Sequence, residues 1–322
     1  MVDVGTPVPR LVHLPLPLFA IPLGFGGVGL AWREAARFLG APSIIGETLL
    51  GLTALAWLVI FGLHLGRAVR HPGALLGDLR HPVRSAFAGA VTIGLMLIAG
   101  GLFPYAPTAA ATLWLGAVGL HLWVGVWTVR GLLLAPREVA ALTPLLLIPL
   151  VGNILAPAIG VRMGYETLCW ILFGIGGLLW AMIQPLILGR ILTGPAMPER
   201  MRPALAILIA PPAVGAIALA NLTHGFGPGP LILLGLAAFI ATVMLTLVAR
   251  FAQVPFSLAW WGWTFPSAAF AMSMLALAAA YPLTWVLVLG WLSLLGASVI
   301  LALVAAATLR AALAGQLLLP DA

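Results

Sequence analysis

Charge is what this 322-residue chain has least of: Asp, Glu, Lys and Arg together make up 7% of it, against about 25% in an ordinary soluble domain. It is also 63% hydrophobic, with a mean hydropathy of +1.16, so it cannot cover a water-facing surface and soluble folds are excluded. Lysine is missing, and all fifteen basic residues are arginine. Cysteine is nearly missing: Cys169 stands alone, which excludes an intrachain disulfide. No polar stretch leaves room for a soluble catalytic domain of about 50 residues or more.

What is there is apolar sequence in long runs. Segments able to cross about 30 Å of hydrocarbon recur at roughly 16–38, 43–66, 84–104, 109–130, 141–161, 165–190, 202–222, 230–250, 257–280 and 282–310. These predict an all-α integral membrane protein with ten transmembrane helices in one transmembrane domain, 1–322, flanked by a short cytoplasmic N-terminus (1–14) and C-terminus (311–322). Cytoplasmic loops collect Lys and Arg. With the N-terminus inside, twelve arginines and five acids face the cytoplasm, a net +7, while Arg33, Arg37 and Arg162 balance Glu34, Glu47 and Glu166 on the outer face. Both termini are therefore expected to be cytoplasmic, in a cell (inner or plasma) membrane. The opening "MVDVGTPVPR" has no basic n-region followed by a short apolar core and cleavage site, so the first segment is expected to persist in the mature protein.

Proline alternates between segments. The odd ones carry Pro17 and Pro22, then Pro104, then Pro144, Pro149 and Pro157, then Pro211 and Pro212, then Pro266; among the even ones only the sixth has an interior proline, Pro185. Broken backbone at membrane depth needs protein or a water-filled cavity around it, because lipid cannot satisfy the freed polar groups. The pattern predicts an inner ring of five kinked odd helices and an outer ring of five straighter even ones. The unit is then a helical hairpin repeated five times, beginning near residues 16, 84, 141, 202 and 257.

Inside the spans, ionisable groups are lacking again. Every carboxylate and arginine falls at a segment end or in a loop, so no buried acid stands ready to carry a coupling proton. Deep polar residues are His64, His121, Asn153 and Gln184. The two histidines lie on even helices and suit bridging between neighbours; Asn153, between prolines on an odd helix, suits pore lining or, better, satisfaction of a kinked backbone. No close histidine pair has metal-ligand spacing, so no metal, cofactor or enzyme activity is expected. "GFGGVG" at 24–29 follows no strand and reads as close helix packing through small residues. The arginines are scattered, not gathered in the dense patch that nucleic acid needs.

The stretch "FSLAWWGWTFPSAAF", 256–270, sets a bulky ring beside a helix breaker. Pro266 presses on the carbonyl of Gly262, four residues back, and predicts a bend or break at Phe265. At 100° per residue Phe265 shares a face with Gly262, Ala268, Ala269 and Met272. One ring on a smooth wall is what an apolar constriction requires, and ordinary helix packing fits the same pattern equally well. Trp260, Trp261 and Trp263 point elsewhere, as packing or interface residues. With Gly262 and Pro266, the residues Pro22, Pro149, Asn153 and Pro211 are the candidate kink or pore-lining positions. Arg84, Arg137 and Arg202 could raise local anion concentration at the cytoplasmic mouth, although the positive-inside rule places them there without any anion.

Five stretches, "PLPLFAIPLGFGGVGLAW", "HPVRSAF", "LFGIGGLLWAMIQPLIL", "MRPALAILIAPPAVG" and "AWWGWTFP", occur in an order that resembles the tellurite-resistance/dicarboxylate transporter family. That family includes TehA-like bacterial proteins, fungal malate and sulfite permeases and plant slow-type anion channels. The resemblance, running from about residue 12 to 310, implies a quasi-five-fold pore made by the odd helices in each subunit of a homotrimer, and a pore gate at Phe265. It implies an anion channel or facilitator for small inorganic or carboxylate anions. The alternative it leaves open is a secondary carrier for C4-dicarboxylates such as malate, or for sulfite or tellurite efflux.

Overall fold

The computed structural model describes residues 10–135 and 138–319, and among them there are helices and no strands. Among the described residues ten helical spans are long and apolar enough to cross a bilayer: Leu16–Leu39, Ser43–Arg70, Arg84–Leu102, Pro107–Leu134, Pro144–Met163, Glu166–Thr193, Glu199–Leu222, Pro228–Phe251, Leu258–Ala280 and Thr284–Leu313. They are called the first to tenth spans below. The chain is a multi-pass membrane protein, as its hydropathy requires.

Burial divides the spans as the prolines do. In the odd spans 61–83% of the most apolar stretch is buried inside the protein, in the even spans only 17–33%. Even spans turn residues such as Leu58, Leu133, Leu178, Phe239 and Leu303 outward, which costs water-facing free energy in a soluble protein and nothing against hydrocarbon. The odd spans meet one another in a closed circuit: first with third, third with fifth, fifth with seventh, seventh with ninth, and ninth with first. Each also packs against the even span that follows it.

Winding divides them a third time. All five odd spans open in 3₁₀ geometry, at Leu16–Phe19, Arg84–Phe87, Pro144–Leu146, Glu199–Ile209 and Leu258–Trp263, whereas the even spans are continuous α-helix. Where α-helix takes over, proline recurs at its third residue: Pro22 in Ala20–Leu39, Pro149 in Leu147–Val151, Pro157 in Leu155–Gly160, Pro212 in Ala210–Leu222 and Pro266 in Thr264–Ala280. Donors in the first α turn have no intrahelical acceptor anyway, so a proline there forfeits little. The break expected at Phe265 is therefore displaced: winding changes between Trp263 and Thr264, and Phe265 already belongs to the α-helix. The third span has no such proline; a Cβ on its Gly89 would fall 2.8 Å from Cα of Pro149, so glycine lets the third and fifth backbones touch.

The glycines of "GFGGVG" serve packing in three directions. A Cβ on Gly24 would strike Thr264 and Trp261 of the ninth span, on Gly26 Leu97 and Thr53, on Gly27 Ala268 and Phe265, and on Gly29 Leu50. His121 bridges as expected, its Nδ1 2.7 Å from Thr92 Oγ1 of the third span, and His64 stacks on Phe19 of the first, 5.2 Å between ring centroids.

Candidate functional site

Inside the circuit of odd spans lie two cavities, one toward each end. The narrower, of about 90 Å³, is walled near the span beginnings by apolar residues including Ala20, Phe87, Ile93, Leu147 and Ile207. The wider, of about 540 Å³, opens toward the span ends and carries Arg33, Glu34, Arg37, Arg162, Asn221 and His224 among its lining residues. Every lining residue of both comes from an odd span or the loop after it. Three residues line both: Leu155 of the fifth span, Val214 of the seventh and Phe265 of the ninth.

Phe265 thus stands between the two spaces with one branched aliphatic on each of two facing helices. Its ring rests against the first span, close enough that a Cβ on Gly27 would come within 3.1 Å of its Cδ2. Upstream, Thr264 Oγ1 donates to the carbonyl of Trp261 at 2.8 Å, and Ser267 Oγ donates to the carbonyls of Trp263 and Thr264 at 2.7 and 3.0 Å. Side-chain hydroxyls thereby give carbonyls at the change of winding a further donor, that of Trp261 also accepting the backbone N–H of Thr264. Trp261 Nε1 donates to Thr308 Oγ1 of the tenth span at 2.9 Å, fixing the 3₁₀ segment to its outer neighbour. The side chains of Leu155, Val214 and Phe265 offer no hydrogen bond to water or an ion, the chemistry of an apolar constriction.

The other candidate residues fall in several places. Gly262, Pro266 and Pro211 line the narrow cavity with Phe265. Pro22 and Pro149 are buried between spans and line neither central cavity. Asn153 is corrected more sharply: in the short 3₁₀ turn Gly152–Ile154 its two neighbours line the narrow cavity and it lines neither central one. It lines a separate crevice of about 570 Å³ between the fourth, fifth and sixth spans, with Leu122, Val129, Arg130 and Ile175. There it is 2% exposed and its Oδ1 has no hydrogen-bond partner, so it does not satisfy a kinked backbone through that oxygen either.

The mouth arginines are not equivalent. Arg84 lies 3.1 Å from Asp78, whose other oxygen meets Arg67 at 2.6 Å. Asp78 sits in a short helix, Pro72–Arg80, and it and Arg67 are almost fully buried, so the connection between the second and third spans holds a buried ion-pair cluster. Arg202 faces Glu199 at 3.5 Å with both half-exposed, a contact of little energetic weight. Arg137 lies outside the described residues.

Leu155, Val214 and the vestibule arginines were not singled out from sequence. Leu155 lies two residues before Pro157 and Val214 two after Pro212, so no common offset from a span's proline marks them, and no signal in the sequence could have found them.

A family model described as SLAC1, voltage-dependent anion channel, matches residues 13–309. Similar proteins include the S-type anion channel SLAH2 of Arabidopsis thaliana, 25% identical over 82% of this chain and 52% of that protein. The guard cell S-type anion channel SLAC1 of the same plant is 21% identical over 85% of this chain and 51% of its own length. The tellurite resistance protein TehA homolog of Haemophilus influenzae is 24% identical over 66% of this chain and 65% of its own. The chain spans about half the length of the plant relatives it matches.

Proposed function

From the premise that the chain belongs to the voltage-dependent anion channel family, we propose that it is an anion channel or facilitator, passing small inorganic or carboxylate anions between its five odd spans and closed at Phe265. The observation that carries this reading is the pair of central cavities lined by odd spans and the loops after them, with Phe265, Leu155 and Val214 common to both. Absence of carboxylates from the neck supports anions over cations, and the beginnings of five inner helices bring positive dipole ends to the narrow mouth. We place the protein in the cell (inner or plasma) membrane with both termini cytoplasmic, from its arginine distribution, as a single transmembrane domain. From the family resemblance we propose a homotrimer with a pore in each subunit.

Anion current in planar bilayers tests it, with wild type and Phe265→Ala compared in chloride, nitrate and malate. A large anion-selective current from the variant beside a nearly silent wild type is expected. Equal currents from the two proteins would remove Phe265 as the closing element. A second reading, a secondary carrier for C4-dicarboxylates such as malate or for sulfite or tellurite efflux, draws on the likeness to a tellurite resistance protein; malate uptake into liposomes that requires a proton gradient would favour it.

A further inference from the structure

Counted along the sequence, the face at the ends of the odd spans is neutral, with three arginines and three acids. The fold sorts those charges. Arg33, Arg37 and Arg162 all line the wide vestibule, whereas of the three acids only Glu34 does. Glu47 reaches Arg33 from the second span without lining the cavity. Glu166 sits at the start of the sixth span, its Oε1 3.4 Å from Nε2 of His224.

The three arginines are committed to different degrees. Arg33 donates through Nε to Glu47 at 2.7 Å and through its terminal nitrogens to the carbonyls of Gly100 and Gly101 at 3.1 and 3.0 Å, so its fork is used up in closing the first span against the third. Arg162 is paired with Glu34. Arg37 has no carboxylate within ion-pair distance among the described residues; its guanidinium lies over the Phe38 ring, 5.0 Å from the centroid. A ring beneath a guanidinium orients its plane and leaves the edge N–H donors open.

We propose that Arg37 is an anion-loading residue of the vestibule, presenting an oriented, unpaired guanidinium that holds an oxyanion before it meets the neck at Phe265. The proposal rests on the channel reading. It also names a preference: a planar fork grips carboxylate or nitrate through two parallel hydrogen bonds, whereas a halide can use only its charge.

Two readouts separate the loading site from the pathway. Sodium malate titrated onto the detergent-solubilised protein is expected to raise the melting temperature of wild type more than that of Arg37→Gln, with sodium chloride separating the two proteins less. Equal malate shifts would overturn the proposal, whether or not any variant conducts. In Phe265→Ala channels, Arg37→Gln is expected to lower current carried by anions entering from the vestibule by about twofold at 0.1 M salt, where screening reaches about 10 Å, and to do nothing at 1 M, where it reaches about 3 Å. Arg37→Lys should retain the chloride current and lose ground with nitrate and malate. Current reduced equally from both sides, at both salt concentrations and for every anion, would overturn Arg37 as the loading residue. A silent Phe265→Ala protein sinks the channel reading alone, and the malate shift still decides Arg37.

Discussion

Gly27→Ala tests how the Phe265 ring is held. The added methyl would lie 3.0 Å from Cβ of Ala268 and 3.1 Å from Cδ2 of Phe265, about 0.5 Å inside the 3.5–4.0 Å of ordinary carbon contact. The two neighbours can yield differently. Ala268 Cβ is tied to its backbone, so relief there means parting the first and ninth spans, while the ring can turn about its side-chain torsions toward the lumen. Overpacking of this kind costs about 1–3 kcal/mol. The cost is expected as a lower melting temperature in detergent, and the ring, pushed lumenward, should leave the wild-type current no higher than before. The informative comparison is the double-mutant cycle with Phe265→Ala. Removing the ring removes one of the two clashes, so Gly27→Ala should be less costly in that background, with a coupling above the roughly 0.3–0.5 kcal/mol expected of independent sites. The large current of Phe265→Ala should also persist in the double variant. Additive stabilities would refute the argument, because they would mean the ring does not rest on the first span.

Other perturbations address neighbouring parts of the structure. Asp78→Asn leaves Arg67, with a side chain 4% exposed, a buried cation without its anion, and should cost about 3–5 kcal/mol, while Arg67→Met with Asp78→Leu should recover most of it; thermal melts of the three proteins check this, and a single variant as stable as wild type would contradict the buried cluster. Asn153→Leu should leave the anion current of a Phe265→Ala channel unchanged, because Asn153 lines the crevice between the fourth, fifth and sixth spans. The same change should raise the melting temperature by removing a buried oxygen that has no partner; a changed selectivity would put Asn153 back in the pore wall.

Much of the architecture was legible before any coordinates. Ten spans follow from run length, because a bilayer demands about 20 apolar residues per crossing whatever the neighbours are. The division into buried odd and exposed even spans was legible through proline, since lipid does not tolerate a broken backbone, and spans holding Pro22, Pro149, Pro211 and Pro266 are indeed the buried ones. Phe265 could be singled out because proline and a smooth helix face are local properties. Asn153 was chosen for lying between prolines on an odd helix, which names the span but not the side of it, and the side it occupies faces the fourth and sixth spans.

What the chain by itself determined is therefore what depends on one segment and its solvent: the number of crossings, which of them break, and where a ring meets a breaker. Only the tertiary structure decided which residues share a space. Leu155 and Val214 join Phe265 at the neck because three helices far apart in sequence converge there. Arginines and acids that cancel in the sequence separate at the vestibule because arginines of the first and fifth spans line it while Glu47 and Glu166 belong to even spans. Charge adds along a chain irrespective of direction, but an ion in a cavity responds to the groups that face it.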